Sequence, residues 1–102
     1  MVRRFKLHEA LESLLGNDHV YFQPPESLKM EYPCIRYKRD TGYTRYANDM
    51  PYNFKTRYSI TYITRDPDDP FVEKLAYAFP TIEHDRFYTM DNLNHDVFTL
   101  YF

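Results

Sequence analysis

The chain has 102 residues, 13 Lys+Arg against 15 Asp+Glu, one Cys, no Trp and 19 aromatics, 11 of them Tyr. That length suits one domain spanning residues 1–102 with a modest core, and a hydrophobic content of 43% supports folding despite a mean hydropathy of −0.70. One Cys excludes an intramolecular disulfide framework and a Cys-based zinc finger. No apolar run approaches a membrane span, and Met1-Val2-Arg3-Arg4-Phe5-Lys6 carries no signal-peptide core, so the expectation is a small soluble intracellular domain.

Taken in chain order, Phe5, Leu7, Leu11, Leu14 and Leu15 recur at helical spacing and Gly16 is placed to stop the turn, which predicts an amphipathic helix over about 4–15. Val20-Tyr21-Phe22 is a short β-prone run ended by the stiff Pro24-Pro25 pair. Residues 33–39 alternate, with Ile35 and Tyr37 on one face and Arg36 and Lys38 on the other, as a strand with one wet or partner-facing side would. Residues 40–53 lack periodicity and contain Gly42, Asn48, Asp49, Pro51 and Asn53; they read as a long loop, of the kind that often binds.

Thr56 to Arg65 is the strongest strand. Tyr58, Ile60 and Tyr62 share one face, Thr61 and Ile63 the other, and two apolar faces predict a central position. Asp66-Pro67-Asp68-Asp69-Pro70 breaks the chain, with Asp69 as N-cap and Pro70 as first residue of a second helix. Its buried stripe is Phe71, Val72, Leu75, Ala76 and Phe79, closed by Pro80. Residues 86–89 and 97–102 are two last strands, joined by the turn-rich Asp91-Asn92-Leu93-Asn94. The fold class is therefore α+β, a mainly antiparallel sheet packed with two helices in the order α-β-β-β-α-β-β.

Charge is unevenly distributed along the chain. Residues 1–65 hold eleven Lys+Arg and seven Asp+Glu; residues 66–102 hold two and eight. A polar distribution of this kind suits head-to-tail association of copies, unless the fold intermixes the two halves and cancels it.

Several residues carry chemistry that a structural role explains as well. His84-Asp85 and His95-Asp96 offer ligand types for a divalent ion, but strand ends collect polar residues anyway, and no metal is expected. Cys34 lies within a strand with no Gly-rich oxyanion turn, so a structural thiol is favoured over a nucleophile served by His84 or His95. The 66–70 segment has the composition of a calcium loop, but its prolines and lack of Gly defeat the ligand spacing. Two glycines leave no phosphate-cradling loop. No catalytic residue, metal or cofactor is expected.

The basic, Tyr-rich stretch is different. Between residues 36 and 57 there are six Lys+Arg and two Asp. Arg36, Lys38, Arg39, Tyr43, Arg45 and Tyr46 are the candidate contact residues, since Arg and Tyr supply rigid interface area. A single-stranded nucleic acid, held by phosphate contact and stacking, and a simply solvated hairpin face remain open for the same residues. Eleven tyrosines exceed what one small core needs, which favours a component of an assembly.

The opening helix Leu7–Gly16, the stretch Tyr32–Tyr37, the run Arg57–Asp68 and the ending Asp91–Phe102 together resemble a family of small neck proteins of tailed phages and prophages of Gram-positive bacteria. Members are called tail terminator, tail completion or head–tail joining proteins. The resemblance covers almost the whole chain in element order and carries no catalytic motif. It implies a small α+β subunit that assembles as a homo-oligomeric ring of six, caps the tail tube and meets a head-side connector. The location implied is the neck of the virion, and the host cytoplasm during assembly. The partners implied are other copies, the tail tube protein and the connector, with no membrane and no nucleic acid beyond DNA passing through the ring. Other neck or minor capsid roles, such as head closure, and a small single-stranded nucleic-acid-binding module are the alternatives. With the sequence stopping at Phe102, contacts are expected from sheet edges, helix faces and the 40–53 loop, as an arm that orders on docking.

Overall fold

A computed structural model describes residues 3–47 and 50–102, with side chains outside 41–54. The elements are α1 (Arg3–Leu15), β1 (Val20–Phe22), β2 (Cys34–Ala47), β3 (Met50–Thr64), α2 (Phe71–Ala76), β4 (Glu83–Met90) and β5 (Leu93–Tyr101). They form an α+β fold around one five-stranded sheet of order β1-β2-β3-β5-β4. Only β1 and β2 run parallel; the other three pairs are antiparallel.

Both helices cover one face of the sheet. Leu7 and Leu11 of α1 and Leu75 of α2 are fully buried against Tyr37, Tyr58, Ile60, Tyr62, Phe98 and Leu100. The α1 stripe follows the i, i+4, i+8 spacing of Leu7, Leu11 and Leu15. Phe5 falls off that stripe and is 46% exposed, its ring under the Arg4 guanidinium at 4.8 Å. Gly16 ends the helix as expected, with φ +84°, a left-handed conformation cheap only for glycine.

β3 takes the central position its two apolar faces require. Its register carries Ile60 between Tyr37 and Phe98, and Thr61 between Arg36 and Val97. The turn after it is heavily tied. Asp69 Oδ1 accepts the Phe71 N–H at 2.9 Å, while Oδ2 accepts the Tyr62 hydroxyl at 2.5 Å and the Thr64 hydroxyl at 3.0 Å. Pro70 already has helical dihedrals (φ −66°, ψ −13°), so Asp69 serves one opening donor of α2 as its sequence position suggests. The helix itself stops at Ala76, short of the expected Pro80. A proline ring at 80 would clash with the carbonyl at 76 in a continued helix. Phe79 still packs on the core from the following turn, edge-on to Phe102 at 6.3 Å.

The main departure from expectation is the 40–53 segment. Its described backbone is a β-ribbon rather than a loop: β2 continues to Ala47, β3 begins at Met50, and the two stay paired up to Ala47↔Met50. Asn48 and Asp49 lie outside the described residues. Register shifts interrupt the ladder between Arg39 and Gly42 and between Arg45 and Tyr46. The last register pair of β3 with β5 is Arg57↔Tyr101, followed by one bond from the Phe102 N–H to the Thr56 carbonyl at 3.0 Å, and beyond it only two strands remain. Alternation in sequence records one face buried against a core; a ribbon that has left the sheet has no such face to impose it. Strands of 14 and 15 residues span about 45–50 Å at the usual rise, and the molecule measures 50 × 24 × 23 Å.

Leu11→Ala is expected to cost about 2–5 kcal/mol in urea unfolding, through lost burial and a residual cavity. Phe5→Ala, off the buried stripe, is expected to cost under about 1 kcal/mol in the same experiment.

Candidate functional site

The face of the sheet opposite the helices carries the odd-numbered positions of β3 and β5. One cross-strand row reads Arg36, Thr61, Val97, Arg86; the next reads Lys38, Ser59, Thr99, Glu83. Cationic side chains therefore stand at three of the four outer positions, with Glu83 at the fourth, while Thr, Ser and Val line the middle. The result is a trough enclosing about 450 Å³, with Ser59, Thr61 and Val97 as floor, Arg36, Lys38 and Arg39 on one side, and Arg86 with Tyr88 on the other. Three inter-strand spacings separate Arg36 from Arg86, about 14 Å between Cα positions.

The segment between β1 and β2 bounds the trough. Tyr21 projects to this open side and its hydroxyl accepts the Glu31 N–H at 3.2 Å, which brings residues 23–33 over the sheet. Gln23 and Pro24 form the near wall, and Gln23 Oε1 accepts the Arg39 N–H at 3.2 Å. His19 anchors the far end, with Nε2 2.9 Å from Glu31 Oε2 and Nδ1 3.2 Å from the Pro33 carbonyl.

The structure thus brings Arg36 and Lys38 together on the open face, while Arg39 borders the trough but pairs with Tyr58, on the parity of the helix-covered face. Tyr43, Arg45 and Tyr46 belong to the ribbon by backbone, but their side chains lie outside the described residues. Arg86 was missed by sequence reading. A lone cation in an acidic stretch gives no local signal, and only the β5 pairing carries it across from Arg36. A register shift between His84 and Arg86 also sets its face: it places His84 and Phe87 on the helix side and Arg86 on the open side. Among the described residues no carboxylate forms an ion pair with Arg36, Lys38, Arg39 or Arg86; the nearby Arg57 is paired to Asp40 at 3.0 Å.

The two His-Asp pairs split across the sheet. His84 Nε2 meets Asp96 Oδ1 at 2.9 Å on the helix side. On the open side Asp85 accepts from the Thr99 hydroxyl, and His95 stacks on Tyr88 at 4.6 Å and 13° with Nδ1 toward the Leu93 carbonyl. No three His, Cys, Asp or Glu side chains converge among the described residues. Cys34 is fully buried in the row Cys34, Ile63, His95, and burial pushes its thiol up to about 12, so at neutral pH it is protonated. With β3 between them, Cys34 and His95 do not form a nucleophile–base pair. No helix among the described residues is long and apolar enough to cross a membrane.

Two acid–base groups register the burial at this end of the sheet. Burial holds His95 below the ordinary imidazole value, and the Arg36 charge adds to that, against the opposing Leu93 carbonyl, Asp91 and Asp96. For Asp69, burial raises the carboxyl, but the hydrogen bonds from Tyr62, Phe71 and Thr64 outweigh it and hold the group below its ordinary value. The converse applies to Tyr62, whose hydroxyl is pushed up by burial and by donation to Asp69.

No protein-family model and no curated protein sequence matches this chain.

Both depressed groups act in one direction. The unfolded chain binds more protons than the folded one, so the stability they contribute is complete at higher pH and lost on acidification. Unfolding free energy measured by urea titration is expected to be level between about pH 7 and pH 8, where the buried Cys34 thiol is protonated in both states, and to fall below about pH 6.5 as His95 protonates in the unfolded chain. It should fall again below about pH 4 through Asp69. His95→Gln should remove the first step and leave the second. A thiol reagent such as DTNB is expected to leave Cys34 unmodified in the native protein and to titrate one thiol in 8 M urea.

Proposed function

We propose that this chain is a structural, non-enzymatic subunit of a tailed-phage virion, acting at the head–tail junction as a tail terminator or tail completion protein. In this reading copies form a ring, six in number by the family resemblance, on the end of the tail tube. Tail subunits stop adding once the ring covers the growing end, and the opposite face of the ring recruits the connector of the filled head. The chain needs no cofactor for this, and meets nucleic acid only as DNA passing through the ring.

The observation that carries the reading is the two-stranded arm. Residues 42–47 and 50–55 leave the sheet as a ribbon whose backbone pairing, among the described residues, is between its own two strands. An isolated ribbon is marginal in water, and its outer backbone edges present unused donors and acceptors. Such an element suits a subunit whose neighbours complete the pairing. The cationic trough at the base of the arm adds a second contact surface.

Deleting the gene from the phage or prophage that carries it tests the assignment. Negative-stain electron microscopy of the induced lysate is expected to show separate DNA-filled heads and unjoined tails, some with overlong extensions. Intact virions in normal number would remove the neck role.

A further inference from the structure

We propose that the trough receives the acidic turn of a second copy of this chain, Asp66 and Asp68 with Asp91 beside them, in a head-to-tail contact. The proposal rests on reading the trough as a subunit contact, and it names the partner.

The fold converts the polarity of the sequence into polarity in space. Asp66 and Asp68 follow the end of β3, and Asp91 sits in the β4–β5 turn at φ +55°. Thr64 and Asn94 are register partners, and the Asn94 amide donates to the Thr64 carbonyl at 3.2 Å, so the two turns lie side by side. The three carboxylates are exposed. Cations nearby are engaged elsewhere: Arg65 lies over the Tyr32 ring at 5.7 Å, and Lys74 donates to the Leu14 carbonyl at 3.0 Å. The trough lies back along the sheet, about 16 Å from Asp66 by strand rise, so the turn of one copy addresses the trough of another.

The turn is also built to keep its shape. Pro67 and Pro70 fix two φ angles, the Asp68 N–H donates to Asp66 Oδ1 at 2.9 Å, and the Asp69 N–H donates to the Asp66 carbonyl at 3.3 Å. Asp69, tied to Tyr62 and Thr64, holds the turn to the sheet. A pre-ordered anionic tip binds without the entropy cost of ordering a loop. Within the trough the Arg36–Arg86 row takes the carboxylates, because Glu83 and Asp85 make the β4 end of the next row repulsive to them.

A nucleic acid fits less well. Among the described residues that line the trough, the exposed-side ring Tyr88 is already stacked on His95 and lies 5.4 Å from the Arg86 guanidinium, so it is engaged rather than held out for base stacking. The surfaces in contact differ, so the association is heterologous and closes into a ring or runs on as a filament.

Sedimentation of the purified full chain at low ionic strength tests the contact. Wild type is expected to self-associate and to dissociate as salt rises. R36E/R86E, which loses the trough, and D66K/D68K, which loses the turn, should each associate at least about tenfold more weakly. Mixed together, they should associate again, because one intact trough then meets one intact turn and the reversed trough and reversed turn are themselves complementary in charge. K38E/R86E, at two exposed positions, repeats the trough test if Arg36 proves to be needed for folding by circular dichroism. Wild type that stays monomeric at millimolar concentration, or a mixture that stays monomeric, overturns the contact. Trough-dependent binding of a labelled single-stranded DNA oligonucleotide with no association of copies replaces it with nucleic-acid binding. Unjoined heads and tails on gene deletion, with normal virions from a phage carrying R36E/R86E, would sink this contact and leave the neck role standing.

Discussion

Every layer of this molecule is organised by β3, which must satisfy two neighbours along one half of its length and a single neighbour along the other. From Arg57 to Thr64 it lies between β2 and β5, with buried residues on both faces. From Met50 to Lys55 it pairs with β2 alone among the described residues. The first half makes a sheet and a core; the second makes an arm. The same strand supplies the floor of the trough, because Ser59 and Thr61 are small where the outer strands carry Arg and Lys.

The two faces of the sheet are stabilised in different ways. On the helix side burial of large side chains dominates, with Tyr37, Tyr62, Phe98 and the leucines of α1 and α2 removed from water. Tyrosines in such a core need partners for their hydroxyls. Tyr37 meets His8 at 2.7 Å and Tyr62 meets Asp69 at 2.5 Å, so both are satisfied. On the open side, Cys34, Ile63 and His95 are buried near where the 23–33 segment crosses, and the trough beyond them has a floor of Ser59, Thr61 and Val97 between mostly cationic walls. A sheet covered by helices on one side and half covered by a strap on the other leaves a defined surface to a partner.

Asp69 links these regions. One carboxylate accepts from the first residue of α2, from a core tyrosine and from the end of β3. It therefore fixes the angle at which the chain leaves the sheet, the start of the second helix and the posture of the acidic turn. The arm, trough and acidic end occupy three separate regions of one small chain, which is what a subunit with several neighbours requires. That separation is the physical content of the proposed role in a neck ring.

Local pattern determined much of this fold. The 3.6-residue spacing of Leu7, Leu11 and Leu15, the alternation at 34–39 and 57–64, the Asp69-Pro70 start and the turn at Asp91-Asn92 each need only neighbours in sequence, so element order and the helix-covered face could be read directly. Arg36 and Lys38 were also legible, as cations on the wet side of an amphipathic strand, whereas Arg39 falls on the other parity and pairs with Tyr58. Tertiary structure alone decided the rest. Whether 40–53 is loop or ribbon depends on where β5 runs out, and backbone pairing beyond that point leaves no hydrophobic signature. Arg86 joins Arg36 through two intervening strands and a register shift, 50 residues apart in sequence, so no spacing rule reveals it. The charge split was visible from the start, but whether it cancels or persists depends on which ends of which strands lie together, and that is set by topology rather than by order along the chain.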